Sequence, residues 1–113
     1  MSSLNGISAN VTKTTYTMGI DPDVILYVKN DNNQDTMSTV TPQKFDSATG
    51  KWTDFSWWYP VILSPEENDP NDFTIGAGED FPDKGTFRFK LSTAMGDNNI
   101  DLGTFYSPIF YIK

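Results

Sequence analysis

The sequence predicts an all-β sandwich of about seven strands, and three observations carry that expectation. Aromatic residues make up 14% of the chain, which favours strands because flat rings pack well on a pleated surface. Eight glycines and seven prolines punctuate the chain at short intervals, and nothing between them reads as a long amphipathic helix. The apolar runs between them are short, and the strongest alternates with period two, the mark of a strand with one buried and one wet face. At 113 residues the chain is expected to form one domain, residues 1–113, able to build a core without staples.

The elements follow in order. Leu4 to Tyr16 reads as a first, irregular strand. Asp23 to Lys29 is the first clear one, with a continuous apolar centre that suits an inner position, and the polar run Asp31 to Asp35 ends it. Val40 to Asp46 follows with Val40 and Phe45 as anchors, and Pro42 weakens it or puts it at an edge. Ser47 to Gly50 reads as a hairpin turn in which Gly50 supplies a positive φ. The next strand runs from Lys51 to Leu63, broken once. Ser64 to Asp72 reads as a loop, Phe73 to Ile75 as a short strand, and Gly76 to Gly78 as a bend. In Thr86 to Ser92 the residues Phe87, Phe89 and Leu91 alternate with Arg88 and Lys90, so the three apolar side chains face the core. Gly96 to Asp101 is a loop, and Thr104 to Lys113 is the last strand, kinked at Pro108.

Composition narrows the chemistry. Fifteen acidic against eight basic side chains give a net charge of −7, with Arg88 as the one arginine. No basic patch is available for nucleic acid or anionic lipid. The acidity reads as a solubility feature, with a cationic or metal ligand as the sharper alternative. Cysteine and histidine are both absent, which removes disulfides, thiol chemistry, the commonest general base and nearly every transition-metal site. Paired carboxylates remain, but a small sandwich has little cleft to hold them across a substrate. No enzymatic activity and no cofactor are expected.

Asp31 to Asp35 and Asp97 to Asp101 begin like calcium loops, but their sixth and twelfth positions hold Thr36 and Pro42, and Leu102 and Pro108. Both read as turns, with an irregular calcium site left open. Gly76 to Gly78 is too short to cradle a phosphate. No apolar run is long enough for a membrane helix, and no basic region followed by an apolar one reads as a signal peptide. Asn10 to Thr12 matches a glycosylation triplet, a pattern common by chance.

All three tryptophans fall between Lys51 and Pro60. Strand alternation puts Phe55, Trp57, Tyr59, Val61 and Leu63 on one face, all apolar, which makes Trp57 a core residue. Asp54, Ser56, Trp58, Pro60 and Ile62 take the other face, and Trp52 shares the parity of Trp58 unless a break near Asp54 intervenes. Trp58 then lies beneath the Ser64 to Asp72 loop, at a protein interface, or against a sugar. In the last case Asp54 and Ser56 would serve its hydroxyls. Trp58, Trp52, Asp54 and Ser56 are the candidate binding residues.

Asp83-Lys84-Gly85-Thr86-Phe87-Arg88-Phe89 resembles the entry to the sixth strand of immunoglobulin-like domains, with Phe87 at the tyrosine position and Phe89 at the buried cysteine position. Phe87 lacks the hydroxyl that makes the corner hydrogen bond. In their order along the chain, Val24 to Asn30, Gly50 to Trp52, Pro82 to Lys90 and Ser107 to Lys113 are similar to the bacterial immunoglobulin-like domains of Gram-positive surface and secreted proteins. That resemblance covers about half of the chain. It implies an immunoglobulin-like β-sandwich and a non-catalytic structural or interaction module of a bacterial surface, secreted or phage virion protein. Its partner would be a protein or a glycan, outside the cell or at its surface. Two further readings are a carbohydrate-binding module using Trp58 and Trp52, and a small proteinase inhibitor working through Asn30 to Thr36 and Ser64 to Asp72.

Overall fold

The computed structural model describes residues 2–113, which are all-β and form two facing sheets around one core. Eleven strands stand among the described residues: β1 Ser2–Leu4, β2 Ile7–Val11, β3 Thr15–Tyr16, β4 Asp23–Asn30, β5 Thr36–Asp46, β6 Lys51–Asp54, β7 Tyr59–Leu63, β8 Asn68–Thr74, β9 Gly85–Met95, β10 Ile100–Tyr106 and β11 Phe110–Ile112. The smaller sheet has the order β1-β2-β4-β8. The larger is built on two eleven-residue strands, β5 and β9, paired antiparallel without interruption from Thr36↔Met95 to Lys44↔Phe87. β6 and β7 share the outer edge of β5, while β10 and β11 share the outer edge of β9. β3 adds to β11 in parallel, so the beginning and end of the chain meet in one sheet.

The strand count exceeds the expected seven because several long strands are interrupted. Leu4 to Tyr16 divides into β2 and β3, which pair in different sheets. Thr104 to Lys113 divides at Ser107 to Ile109. One assignment is corrected outright: Ser64 to Asp72 is a loop only as far as Glu67. From Asn68 the chain is β8, paired with β4 over Asp23↔Thr74 to Lys29↔Asn68. Its polar composition concealed it, because only one side packs inward, at Phe73.

Phe87, Phe89 and Leu91 face inward as their alternation predicts. Phe81 sits at the centre of the rings and is fully buried, although it lies in the connection between β8 and β9. Its ring centroid is 5.2 Å from Phe87, 5.5 Å from Phe55, and 5.6 Å from both Phe89 and Phe110. The Phe87, Phe89 and Phe110 contacts are edge-to-face at 75–87° and the Phe55 contact is tilted at 60°, geometries that ring quadrupoles favour over a face-to-face stack. A parallel bridge between Ile75 and Phe81 holds the connection against the open end of the sandwich.

Gly50 takes a φ of 71° in the β5–β6 hairpin, and its N–H donates to the Asp46 carbonyl. Gly85 opens β9 at a φ of 154°, and a Cβ there would come within 2.8 Å of Lys44 Cε. At the opposite end Asn30 is fully buried and gathers the loops. Its amide N–H group donates to the carbonyls of Gln34, Leu63 and Ser64, and its amide oxygen accepts from Asn32 N.

The broken edge strand is the feature that shapes the surface. β6 ends at Asp54 opposite Gln43, and β7 begins at Tyr59 opposite Val40. Four residues, Phe55–Trp58, therefore stand beside two, Thr41 and Pro42. The Pro42 carbonyl accepts from Phe55 N at 3.4 Å, so Pro42 turns its backbone toward this edge. A strand residue's N–H and C=O point the same way, so the N–H that proline lacks is missing on this side. The pairing bulges where that donor is absent. Pro42 thus lies in an interior strand, not at an edge.

Candidate binding surface

The bulge carries Trp57 and Trp58 outward. Trp57 is 82% exposed and Trp58 58% exposed, which corrects the placement of Trp57 in the core. Strand parity holds for the rest of that face: Val61 and Leu63 are buried, and Phe55 and Tyr59 pack against the core. The bulge inserts two residues, so parity is the same on both sides of it and fails only within it. Trp58 is not covered by the chain between Ser64 and Asp72.

Two anchors hold the bulge. Phe55 inserts between Phe81 and Phe87, at 5.5 and 5.4 Å. The Tyr59 hydroxyl donates to the Asp80 carboxylate, whose other oxygen accepts from Thr74 N at 3.1 Å. Bonding to Asp80 raises the Tyr59 pKa, with burial and the carboxylate's charge acting in the same direction. Trp57 and Trp58 are thus carried between side chains fixed to both the core and the β8–β9 connection.

Of the predicted binding residues, Ser56 and Asp54 line a shallow depression with Phe55 and Trp57. Trp58 is the next residue along the same bulge. Trp52 does not line this depression, and its ring is engaged by neighbouring side chains. It packs on Phe45 at 5.3 Å, and the Arg88 guanidinium carbon sits 4.2 Å from the ring centroid. Tyr106 covers Arg88 from the other side at 3.8 Å. The three residues come from β6, β9 and β10 and bridge the outer face of the larger sheet.

A polar chain continues from this clamp. Arg88 Nε donates to Gln43 Oε1 at 2.8 Å, and Gln43 Nε2 donates to Asp54 Oδ1 at 2.8 Å. Lys90 Nζ meets Asp54 Oδ2 at 3.3 Å. The Gln43 hydrogen bond, aided by Lys90, holds the Asp54 carboxyl below the usual carboxylate range, against an opposing push from desolvation. Burial lowers the Arg88 pKa, with Tyr106 acting the other way. Asp54 is the member common to the clamp network and the Trp57 depression. Sequence reasoning missed Arg88, Gln43, Lys90 and Tyr106. The parity of Arg88 and Lys90 on β9 puts both on the wet face, but their cross-strand partners depend on the register.

Among the described residues no three acidic side chains gather in a group able to hold a metal ion, and Asp97 to Asn99 forms a turn in which Asn99 takes a φ of 50°. No helix among them is long and apolar enough to cross a membrane.

No protein-family model and no curated protein matches this chain. Among solved structures, 96% of the chain aligns with the Pseudomonas fluorescens alkylpurine DNA glycosylase AlkC bound to DNA containing an abasic site analog, at 11% identity and a TM-score of 0.42. The chain spans 30% of that protein's chain. A likeness at this level assigns neither a fold family nor an activity.

Proposed function

We propose that the chain is a non-catalytic immunoglobulin-like module that docks a partner through the tryptophan-bearing bulge between β6 and β7. The strand order supports the immunoglobulin-like assignment: β2-β4-β8 faces β10-β9-β5, as A-B-E faces G-F-C in that fold, and β6 and β7 extend the second sheet beyond C. The matching segments from Val24 to Lys113 support reading the module as part of a bacterial surface, secreted or phage virion protein. The observation that carries the docking role is the exposure of Trp57 and Trp58 on a bulge anchored by buried neighbours. Large rings held rigidly in water lose little conformational freedom on binding, and tryptophan is enriched where binding energy concentrates.

A second reading has its own support. The depression lined by Asp54, Ser56 and Trp57 combines an exposed ring with hydroxyl-binding oxygens, which suits the C–H face and rim of a sugar. The test compares the intact chain with Trp57→Ala and Trp58→Ala on a broad glycan panel and against proteins of its source. Loss of the bound ligand in both variants, with the melting temperature kept, is the expected result. Ligand capture unchanged by both substitutions would remove the bulge as the docking site.

A further inference from the structure

We infer that Arg88 forms a receptor for a single carboxylate, carried by an acidic sugar whose ring reaches toward Trp57. Three facts about one side chain lead there. Its guanidinium is fixed on both faces, by Trp52 at 4.2 Å and Tyr106 at 3.8 Å, and at one edge by Gln43. Its two terminal amino groups meet no acceptor among the described residues, although the chain has fifteen acidic side chains to supply one. Asp54, the carboxylate of the same network, is directed instead to Gln43 and Lys90. A planar donor pair held between two rings, with its far edge left open, matches the two oxygens of a carboxylate.

Net charge selects the carrier. At −7 the chain repels a polyanion, which excludes nucleic acid, sulfated polymers and strongly acidic peptides as good ligands. One carboxylate on an otherwise neutral molecule meets far less of that repulsion. Beside the clamp lies the Trp57 depression, joined to it through Asp54, with Ser56 and the exposed ring to receive hydroxyls and C–H groups. Those neighbours favour a sugar acid over a peptide C-terminus. The inference rests on the glycan form of the docking reading for the sugar ring alone; the carboxylate contact stands on Arg88.

The test titrates the full chain with methyl glucuronide, its uncharged methyl ester, methyl glucoside, and an acetylated dipeptide with a free C-terminus. Binding is read by tryptophan fluorescence and by the Arg88 Nε–H NMR signal. Saturable binding of the glucuronide that moves the Arg88 signal is expected, with the ester and glucoside about tenfold weaker or more. Arg88→Gln should erase the preference for the acid, and Arg88→Lys should weaken it. Equal affinity for acid and ester overturns the inference with no variant needed. Tighter binding of the dipeptide overturns the choice of a sugar. Ligand capture that depends on Trp57 but ignores the acid would sink the carboxylate receptor and leave the bulge as a docking site.

Discussion

Trp57 and Asn30 invert the usual relation between residue type and position. A tryptophan stands 82% exposed while an asparagine is buried completely. Each exception has a cause in its neighbours. Trp57 is displaced by the bulge opposite Pro42, so little packing is lost when it is removed. Trp57→Ala should leave stability within about 0.5 kcal/mol while weakening partner binding, as a denaturant titration beside a binding isotherm would show. Asn30 satisfies the Gln34, Leu63 and Ser64 carbonyls and Asn32 N. Asn30→Ala strands those groups and should cost about 2–3 kcal/mol, measured by the same titration. Asp54 gives a pH signature. Its folded pKa is depressed by Gln43 and Lys90, so its contribution is complete above the ordinary carboxylate value and lost as pH falls through the folded one. Melting curves of the intact chain and Asp54→Asn should differ at neutral pH and converge as the pH falls below the ordinary carboxylate range. A difference that stays constant through acid pH would exclude the mechanism.

At the scale of the strands, the free edges at β7 and β8 each carry a proline whose missing N–H faces solvent. The unbroken β5–β9 register and the Pro42 contact fix which β5 residues turn toward β7, so Tyr59, Val61 and Leu63 bond to β5 and Pro60 faces outward. On the other sheet, Ile25 O accepts from Thr12 N on one side of β4 and Asn30 N donates to Glu67 O on the other. Asp69 and Asn71 therefore bond to β4, and Pro70 faces outward. Of the remaining edges, β1, β3 and β6 have three, two and four residues, while β10 has seven, pairs with β9 alone and carries no proline. The two prolines oppose strand addition between molecules at β7 and β8. Replacing Pro60 and Pro70 together by threonine should shift the sedimentation profile toward larger species, and an unchanged profile would refute the role given to them.

The same scale explains what the sequence could reveal. Period two in Thr86 to Ser92 and the apolar centre of Asp23 to Lys29 are local signals, and both strands form where those signals lie. β8 has no such signal, because Asp69, Pro70 and Asp72 hide a strand that is defined by its pairing with β4. The tryptophans were legible as a cluster but not in direction. Their orientation follows from Pro42, which becomes adjacent to them only through the β5–β6 hairpin. Arg88 was legible as a wet-face residue, whereas its enclosure by Trp52 and Tyr106 required three strands in register.

Across the whole molecule, one residue outside the strands joins the parts. Phe81 fills the end of the sandwich and touches rings from the bulge, from β9 and from β11. The connection that carries it also supplies Asp80 to Tyr59, so the core and the tryptophan bulge share a support. Removing Phe81 should act at both places. Phe81→Ala is expected to cost about 3–5 kcal/mol, a large part of the stability of a domain this size. It should also free Phe55 and let the bulge move, so Trp57 and Trp58 would show faster depolarisation of their fluorescence under native conditions. Asp80→Asn separates the two effects, because it keeps the ring and weakens the Tyr59 bond. It should mobilise the tryptophans with a smaller loss of stability. If Phe81→Ala lowers stability but leaves tryptophan mobility unchanged, the bulge is held by its own strands and the shared support is wrong.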